Sequence, residues 1–570
     1  MQDIITIDLD KCVACNRCLR VCPIHEANVA TVQKDGQIKV KIDNSKCIAC
    51  GNCLIACHHG SRHYSDDTER FFKDLRAGVP ISIFAAPAVR SNFDDYGRLF
   101  KWLRSLGIRQ VYDVSLGADI CTWAHIRYIQ KNGPKPIISQ PCPAIVNYVL
   151  IHRNELLKHL SPIHSPMLCT AVYMRKYEKV GTKIAALSPC VAKTHEFEAT
   201  RIVDYNVTFK NLDKYITDNR IALPLESSGF DAYEAGLGSL YPMPGGLKES
   251  VEHYLGKTLR VDKSEGPDIV YKALDEYAKQ PSSRLPVLFD VLNCAEGCNA
   301  GTGCVHNRNI FEINTKMETL RQAAIKENNL EYLEDLFKKF DETFRLEDFI
   351  REYVPTPVRP IHFTEEKVNQ AFIALGKFDE AEKTFDCGAC GCNSCREMAQ
   401  LVAKGISIPE NCIRKMHDDA EKRHEEAKII SKSNLDSFNT ILAETSSIKS
   451  MTEGIVANVD DITQAISSYD RMVTDIERIS EKVNIISLNA SVEAAKAGRH
   501  GLAFDVVAKE IRILAQSSAN SAMRTSEASG KAKSAIKTVT NAVLDINESV
   551  KSSYDKIAAA SENTKKLFVK

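Results

Sequence analysis

Cysteine is the residue type in this sequence whose number and spacing speak of chemistry. The 570 residues contain 20 cysteines. Eight lie between Cys12 and Cys57, five between Cys387 and Cys412, and none follows Cys412. Disulfide frameworks belong to secreted chains, usually small ones. The first residues, MQDIITIDLDKC, show no basic region followed by an apolar one, so no secretory signal is expected. Tight cysteine runs in a long chain of this kind predict thiolate metal ligation in a reducing cytoplasm.

Residues 12–23 read CVACNRCLRVCP and residues 47–57 read CIACGNCLIAC. The first run is C-x2-C-x2-C-x3-C-P, and the second repeats that spacing without the proline. Thiolates at i, i+3 and i+6 can wrap one face of a 4Fe–4S cubane, and the fourth cysteine of each run reaches the other cluster. That rule assigns Cys12, Cys15, Cys18 and Cys57 to one cluster and Cys22, Cys47, Cys50 and Cys53 to a second. A pair of zinc sites is the competing reading, but zinc rarely takes four cysteines at this spacing twice within 46 residues. Residues 1–65 resemble a two-cluster ferredoxin, which implies an α+β ferredoxin-like electron-transfer module.

Stepping along the chain, residues 66–355 have mixed character. PISIFAAPAV, VYDVSL, KPIIS, KIAALSPC and LPVLFDVLNC read as short buried strands. They alternate with charged, helix-period stretches such as FDDYGRLFKWLRSLG and KNLDKYITDNR, which predicts an α/β domain with parallel sheet. Several cysteines follow strand-like runs, where α/β proteins build their sites.

Three fragments in this block are distinctive: ISQPCPAIV with Cys142, SPCVAKTHE with Cys190, Lys193 and Glu196, and NCAEGCNAGTG with Cys294 and Cys298. In order and content they resemble the three signature segments of iron-iron (FeFe) hydrogenases. APAVR at 86–90 and GAD at 117–119 match as well. The resemblance implies an H-cluster, a cubane joined to a two-iron subsite carrying CO and cyanide. It implies that Cys142, Cys190 and Cys294 hold the cubane and that Cys298 is the bridge. It implies that Lys193 donates to a cyanide, a role that suits a compact cation with three donors, and that Glu196 supports Lys193. Buried structural thiols, or a cluster without the two-iron subsite, are the competing readings.

The departures concern protons. The family's first segment reads Thr-Ser-Cys-Cys-Pro, and its first cysteine passes protons to the cofactor. Here the stretch is Ser139-Gln140-Pro141-Cys142-Pro143, and Pro141 has neither a titratable group nor a backbone donor. Two family glutamates of the same route fall at His125 and Tyr128. Two family methionines fall at Ser188 and Leu292. The ligands are kept while the relay is replaced, which predicts slow turnover better suited to sensing than to bulk hydrogen production. Cys121, Cys169 and Cys304 are expected to be buried apolar thiols, with Cys121 or Cys169 as substitute relay candidates.

EYVPTPVRPIHF marks a linker by its prolines. The segment 356–416 then carries CGACGCNSC and PENC. Cys387, Cys390, Cys395 and Cys412 give C-x2-C-x4-C-x16-C, which resembles a small 4Fe–4S domain fused to cluster-bearing enzymes. Cys392 falls off that pattern. A four-cysteine zinc knuckle is the alternative.

From residue 417 to 570 proline disappears and Ala, Ser, Lys and Glu dominate. Ile441, Ile448, Ile455, Ile462, Tyr469, Ile476 and Val483 recur every seven residues. Val459, Ile466 and Val473 form a second seam, and Ala532, Ile536, Val539, Val543, Ile546 and Val550 step by four and three. These are coiled-coil heptads. NIISLNASVEAAKAGRHGLAFDVVAKEIRILA, residues 484–515, resembles the hairpin tip of methyl-accepting chemotaxis proteins, which contacts a histidine kinase and its coupling protein. The turn is expected at Gly498-Arg499-His500-Gly501. Counted from about residue 423, the arms run about 75 and 69 residues, each on the order of 100 Å long at ~1.5 Å per residue. Near-equal arms predict an antiparallel hairpin, and two hairpins a four-helix bundle. The family tip carries Glu where this chain has Arg499 and Arg-Gly where it has Leu502-Ala503.

Composition sets the outer bounds. Lys plus Arg and Asp plus Glu number 74 each, for zero net charge, which argues against a nucleic-acid binder. Charged residues are 26% and hydrophobic residues 44%, and no window approaches 18 uninterrupted apolar residues, so no membrane span is expected. The combined expectation is a cytoplasmic, homodimeric sensory hydrogenase from an anaerobe. It would sense H2 or redox state, retain weak hydrogenase activity and signal through the hairpin to a kinase or coupling protein. The alternatives are a catalytic hydrogenase with a dimerising tail, and a redox-signalling iron–sulfur protein without the two-iron subsite.

Overall fold

Short β-branched and aromatic runs bounded by Gly, Pro, Asp and Asn set the strands. In the N-terminal part, β1 (Ile5–Ile7), β2 (Asn28–Val32), β3 (Ile38–Ile42) and β4 (Arg62–Tyr64) form two antiparallel ribbons, β1 with β4 and β2 with β3. Between them run the loops that carry the two cysteine motifs. The computed structural model describes residues 3–231, 236–256, 259–305, 308–359 and 361–568. It divides into two compact units, Met1–Met416 and His417–Lys570.

Seven further strands make two parallel sheets in the first unit: β5 (Ile81–Ala85), β6 (Ile108–Asp113), β7 (Ile137–Ile138), β8 (Lys183–Ser188), β9 (Tyr205–Thr208), β10 (Val261–Glu265) and β11 (Leu288–Leu292). One sheet has the order β6-β5-β8-β9 and the other β10-β11-β7. β5, β9 and β11 are buried at every position, as expected of parallel strands covered on both faces. The mixed α/β architecture follows.

The helix Val114–Asn132 is buried without a break from Val114 to Ile126, so it runs through the interior rather than along the surface. Asp113 caps it, accepting from Ser115 N at 2.9 Å, and pairs with Arg90. A side chain at Gly117 would meet Thr170 Oγ1 at 2.1 Å and Pro166 O at 2.3 Å. Glycine there lets the helix Pro166–Val172 pack directly against it. The stretch 351–359 has no helix or strand, in keeping with its prolines. Beyond it, the helices Glu365–Ala374 and Cys395–Ala403 enclose a small core of Val368, Phe372, Met398 and Leu401.

The second unit is made of a pair of long helices, Ile413–Lys496 (its first four residues still in the first unit) and Leu502–Phe568, joined by a 3-10 turn at Gly498–Gly501. The first helix starts at Ile413, ten residues before the arm boundary expected near 423. Gly498 has φ of +56°, and a side chain at Gly501 would lie 2.0 Å from Ala494 O. Both glycines are therefore needed where the chain reverses. The arms meet along small residues rather than along the isoleucines. Thr445, Thr452, Val473, Ser480, Ser487 and Ala494, spaced by multiples of seven, are buried, as are Ala508, Ala515, Ala522 and Val543. Thr452 Oγ1 donates to Asn547 Oδ1 at 2.8 Å across the arms. Ile441, Ile448, Ile455, Ile462 and Ile476 are instead 40–49% exposed. Among the described residues no helix is long and apolar enough to cross a membrane.

Candidate functional site

The carboxyl ends of parallel strands from both sheets converge on one pocket. Pro141 and Cys142 follow β7, Cys190 follows β8, and Cys294 follows β11. Cys142, Cys190, Cys294 and Cys298 line this pocket together with Lys193 and Pro141. Placement at strand carboxyl ends is the rule for α/β sites. Cys142 also stands at the N-cap position of the helix Pro143–His152, whose N-terminal dipole favours a negative group.

Electrostatics show what the four sulfurs need. Burial raises the Cys294 thiol, and negative charge at Cys142, Cys190 and Cys298 raises it further. Burial, followed by charge at Cys142, pushes Cys190 up to about 12. Four thiols that line one pocket, and that burial and mutual charge hold protonated, would need a compensating cation to act as thiolates, which iron would supply. The donor set fits an iron–sulfur cluster.

Lys193 opens the helix Lys193–Thr200, and Glu196 lies one turn along it. Both are 5% exposed. Lys193 Nζ donates to Glu196 Oε2, to Ser165 Oγ at 3.0 Å and to Pro141 O at 3.3 Å. Glu196 Oε1 also lies 3.7 Å from Arg351 Nη1. Ser188 accepts from Cys190 N at 3.1 Å and donates to Cys190 O, fixing the turn that presents the thiol.

The two positions that stand for the family glutamates diverge. His125 is fully buried, with Nδ1 2.8 Å from Cys121 O and Nε2 2.8 Å from Ser161 Oγ. Tyr128 packs at the edge of the core around Trp123. Neither is part of the pocket wall, which holds Tyr241 and Asp290 instead. Sequence reading missed both. A lone acid in the apolar run LPVLFDVLNC was the available signal for Asp290, whereas nothing local marks Tyr241.

The cysteine runs at the N-terminus are built alike. Ala14 and Asn16 in the first, and Ala49 and Gly51 in the second, stand at matching positions with φ of +52°, +60°, +56° and +82°. A left-handed backbone at non-glycine residues costs about 1 kcal/mol or more each and clusters at ligand sites. Cys22, Cys47, Cys50 and Cys53 line one cavity beside the buried Arg62. Arg62 Nη2 donates to Cys18 Sγ at 3.1 Å, and Cys18 also feels charge at Cys12 and Cys15. Cys57 donates to Ser61 Oγ at 3.8 Å.

Tyr271 connects the second cysteine set to the pocket of Cys142, Cys190, Cys294 and Cys298. It is buried, feels charge at Cys22 and Cys50 on one side and at Cys142 and Cys294 on the other, and donates to Asn293 Oδ1 at 2.8 Å. Asn52 and Asn293 side chains are hydrogen-bonded at 3.1–3.3 Å.

Cys387, Cys390, Cys395 and Cys412 line a third cavity, and Cys392 shares it. Cys392 lies beside Cys390 and acts to bring the Cys390 thiol down. This module abuts the first cysteine run. Asn16, next to Cys15, donates to Asn411, next to Cys412, at 3.0 Å, and His25 Nδ1 lies 2.9 Å from Glu397 Oε1. Cys121, Cys169 and Cys304 are buried.

Residues 79–302 match the family described as iron only hydrogenase large subunit, C-terminal domain. Residues 4–58 match the 4Fe-4S dicluster domain, 384–414 a family described by an Fe-S cluster, and 450–569 the methyl-accepting chemotaxis protein signalling domain. The chain joins a hydrogenase-type domain to a chemotaxis-type signalling domain. It is 26% identical to iron hydrogenase 1 of Clostridium pasteurianum over 287 residues, 43% of this chain and 50% of that protein. It is 34% identical to the methyl-accepting chemotaxis protein McpC of Bacillus subtilis over 107 residues, 19% of this chain and 16% of that one. The chain thus spans half or less of the length of these curated relatives. The FeFe-hydrogenase HydA1 from Chlamydomonas reinhardtii superposes with a TM-score of 0.40 at 16% identity, covering 52% of this chain and all of that one. The cysteine pocket lies within the residues matched by the hydrogenase domain, both N-terminal runs lie within those matched by the dicluster domain, and the residues matched by the signalling domain belong to the helix pair. Iron–sulfur clusters are its cofactor class.

Proposed function

We propose that this protein is a cytoplasmic sensor of dihydrogen, or of the redox state dihydrogen imposes, and that it reports through its helical hairpin to a histidine kinase or coupling protein. The observation that carries the reading is the pocket of Cys142, Cys190, Cys294, Cys298 and Lys193 in a chain that also contains a chemotaxis-type signalling domain. We divide the chain into a ferredoxin domain (1–65), an H-cluster domain (66–355), a 4Fe–4S domain (356–416) and a signalling hairpin (417–570).

In this reading Cys142, Cys190 and Cys294 would hold a cubane, and Cys298 would be the residue that joins it to a two-iron subsite. That group, when bound, supplies reversible conversion of dihydrogen to protons and electrons. Lys193 anchors the pocket wall by three donations, of which the one to Pro141 O is the longest and the one a cofactor ligand would replace. Glu196 holds the ammonium in place and is itself paired with Arg351. Pro141 supplies no acid or base where rapid proton exchange needs one, so turnover is slow.

Electrons have a contiguous path. It passes from the pocket, past Tyr271, to Cys22, Cys47, Cys50 and Cys53, then by Arg62 to Cys12, Cys15, Cys18 and Cys57. The Asn16–Asn411 contact leads on to the third cluster at Cys387, Cys390, Cys395 and Cys412. Cys412 immediately precedes the helix Ile413–Lys496, so a charge change at this cluster acts on the first turn of the signalling arm. The exposed isoleucine stripe pairs two hairpins into a four-helix bundle. Residues 484–515 with the exposed Phe504 and Val506 form the docking tip.

The test combines two readouts on the matured full-length chain. Infrared bands of metal-bound CO and cyanide report the two-iron subsite, and autophosphorylation of a partner kinase with and without dihydrogen reports signalling. Bands that respond to dihydrogen together with a dihydrogen-dependent kinase support the reading. Turnover typical of catalytic hydrogenases with no effect on any kinase would refute it.

A further inference from the structure

Behind the pocket wall lies a buried group of acid–base side chains that the account above leaves idle. Tyr241 and Asp290 are lining residues and are buried. Tyr241 Oη is 2.7 Å from Thr122 Oγ1 and hydrogen-bonds to the Cys121 thiol. Cys121 Sγ is 3.6 Å from His125 Nδ1, one turn along the same helix. His125 Nε2 is 2.8 Å from Ser161 Oγ. Cys169, on the helix Pro166–Val172, donates to His164 O at 3.3 Å and acts on the neighbouring Cys121 thiol, and Gln140 Nε2 approaches Cys121 Sγ at 3.8 Å. Cys121, His125 and Cys169 have no solvent exposure.

The surroundings favour an ion pair over two neutral groups. Burial alone would push the Cys121 thiol up. Hydrogen bonds with Cys169, His125 and Tyr241 and the charge of His125 bring it down to about 5. Burial would push His125 down, and charge and hydrogen bonding from Cys121, with a smaller contribution from Asp290, carry it up. Asp290 on β11, pushed up to about 6 chiefly by burial, faces the imidazole. Glu196 and Lys193 act on Cys169 with opposite signs.

We propose that Cys121 and His125 form the acid–base pair that exchanges a proton with the pocket through Tyr241, taking the place left without a titratable group at Pro141. This rests on the hydrogenase reading above. A proton arriving from the pocket binds Tyr241 Oη as the hydroxyl's own proton passes to Cys121 Sγ. Tyr241 ends as it began, Cys121 becomes a thiol beside the imidazolium, and the pocket has lost one proton. The reverse transfer returns it. A buried thiol–imidazole pair that can take up a proton and return it is suited to that exchange. A merely structural role, filling the core beside Trp123, would leave Cys121 an ordinary un-ionised thiol.

Two measurements test the proposal. The first is the infrared S–H stretch of the full-length chain, taken as the difference between wild type and Cys121→Ala, between pH ~8 and ~4. The proposal predicts no Cys121 S–H band at neutral pH and its appearance on acidification, and a band present at neutral pH overturns it. The second is exchange of dihydrogen with deuterated water in the matured protein. Cys121→Ala and the near-isosteric Tyr241→Phe are each expected to slow exchange about 100-fold while the CO and cyanide bands persist. Unchanged exchange with those bands present overturns the relay alone. Absence of the bands in the wild type overturns both the relay and the hydrogenase reading.

Discussion

Lys193 and Glu196 form a buried ion pair within one turn of a single helix, with the ammonium also donating to the backbone carbonyl of Pro141. The pair joins the pocket wall on one side to Arg351 on the other. Removing one partner of a buried pair leaves the other charge uncompensated, which typically costs about 3–5 kcal/mol. Lys193→Met is therefore expected to lower the unfolding free energy of the hydrogenase-type domain by about 3 kcal/mol, Arg351 offsetting part of the loss. Lys193→Met with Glu196→Gln should recover most of it. Denaturant titration of the three proteins checks this, and equal stability of the single variant and wild type would remove the pair from the account.

The third cavity holds five cysteines for four expected ligand positions. The C-x2-C-x4-C-x16-C spacing excludes Cys392, whose thiol packs 3.9 Å from Met398 Sδ. Cys392→Ser should retain the full iron content of the reconstituted chain. Cys395→Ser should lose about four irons. Iron analysis beside visible absorbance decides between this assignment and one in which Cys392 is a ligand.

Acid should weaken the first unit through His164. Burial, then the charge of Arg351, brings its pKa down to about 4. The unfolded imidazole titrates near 6.5. The unfolded chain therefore binds more protons than the folded one between these values, and stability falls as pH drops through that window. The contribution is complete above pH ~6.5 and lost by pH ~4. His164→Gln should flatten the fall in thermal midpoint over this range, and a fall of undiminished size would assign it to other groups.

The isoleucine stripe of the first long helix stays 40–49% exposed. Placing lysine at both Ile448 and Ile462 should convert a dimer to a monomer in sedimentation while leaving the hairpin helical by circular dichroism, because the seam between the two arms uses Thr445, Thr452 and Val473 instead. A dimer that survives both changes would move the association surface elsewhere.

Legibility in the sequence tracked locality. The cysteine runs announce themselves because each motif spans a dozen residues, and their repeated left-handed positions follow from the same short loops. β5, β8 and β11 read clearly as mainly apolar runs. β10, with the sequence VDKSE, and the two-residue β7 are set by sheet neighbours rather than by their own composition. Tyr241 and Asp290 reach the pocket from segments separated by nearly fifty residues, and only tertiary packing brings them together. The heptads were legible, yet not which seam faces the other arm. Alanine, serine and threonine allow helices to approach closely, whereas hydropathy points to the isoleucines.

The central claim is that the pocket of Cys142, Cys190, Cys294, Cys298 and Lys193 holds a dihydrogen-responsive two-iron cofactor in a signalling chain. Infrared spectroscopy of the matured full-length protein, recorded with and without dihydrogen, tests it most directly. The account predicts bands from metal-bound CO and cyanide that shift under dihydrogen. A matured protein with its cubane clusters intact and no such bands would contradict it.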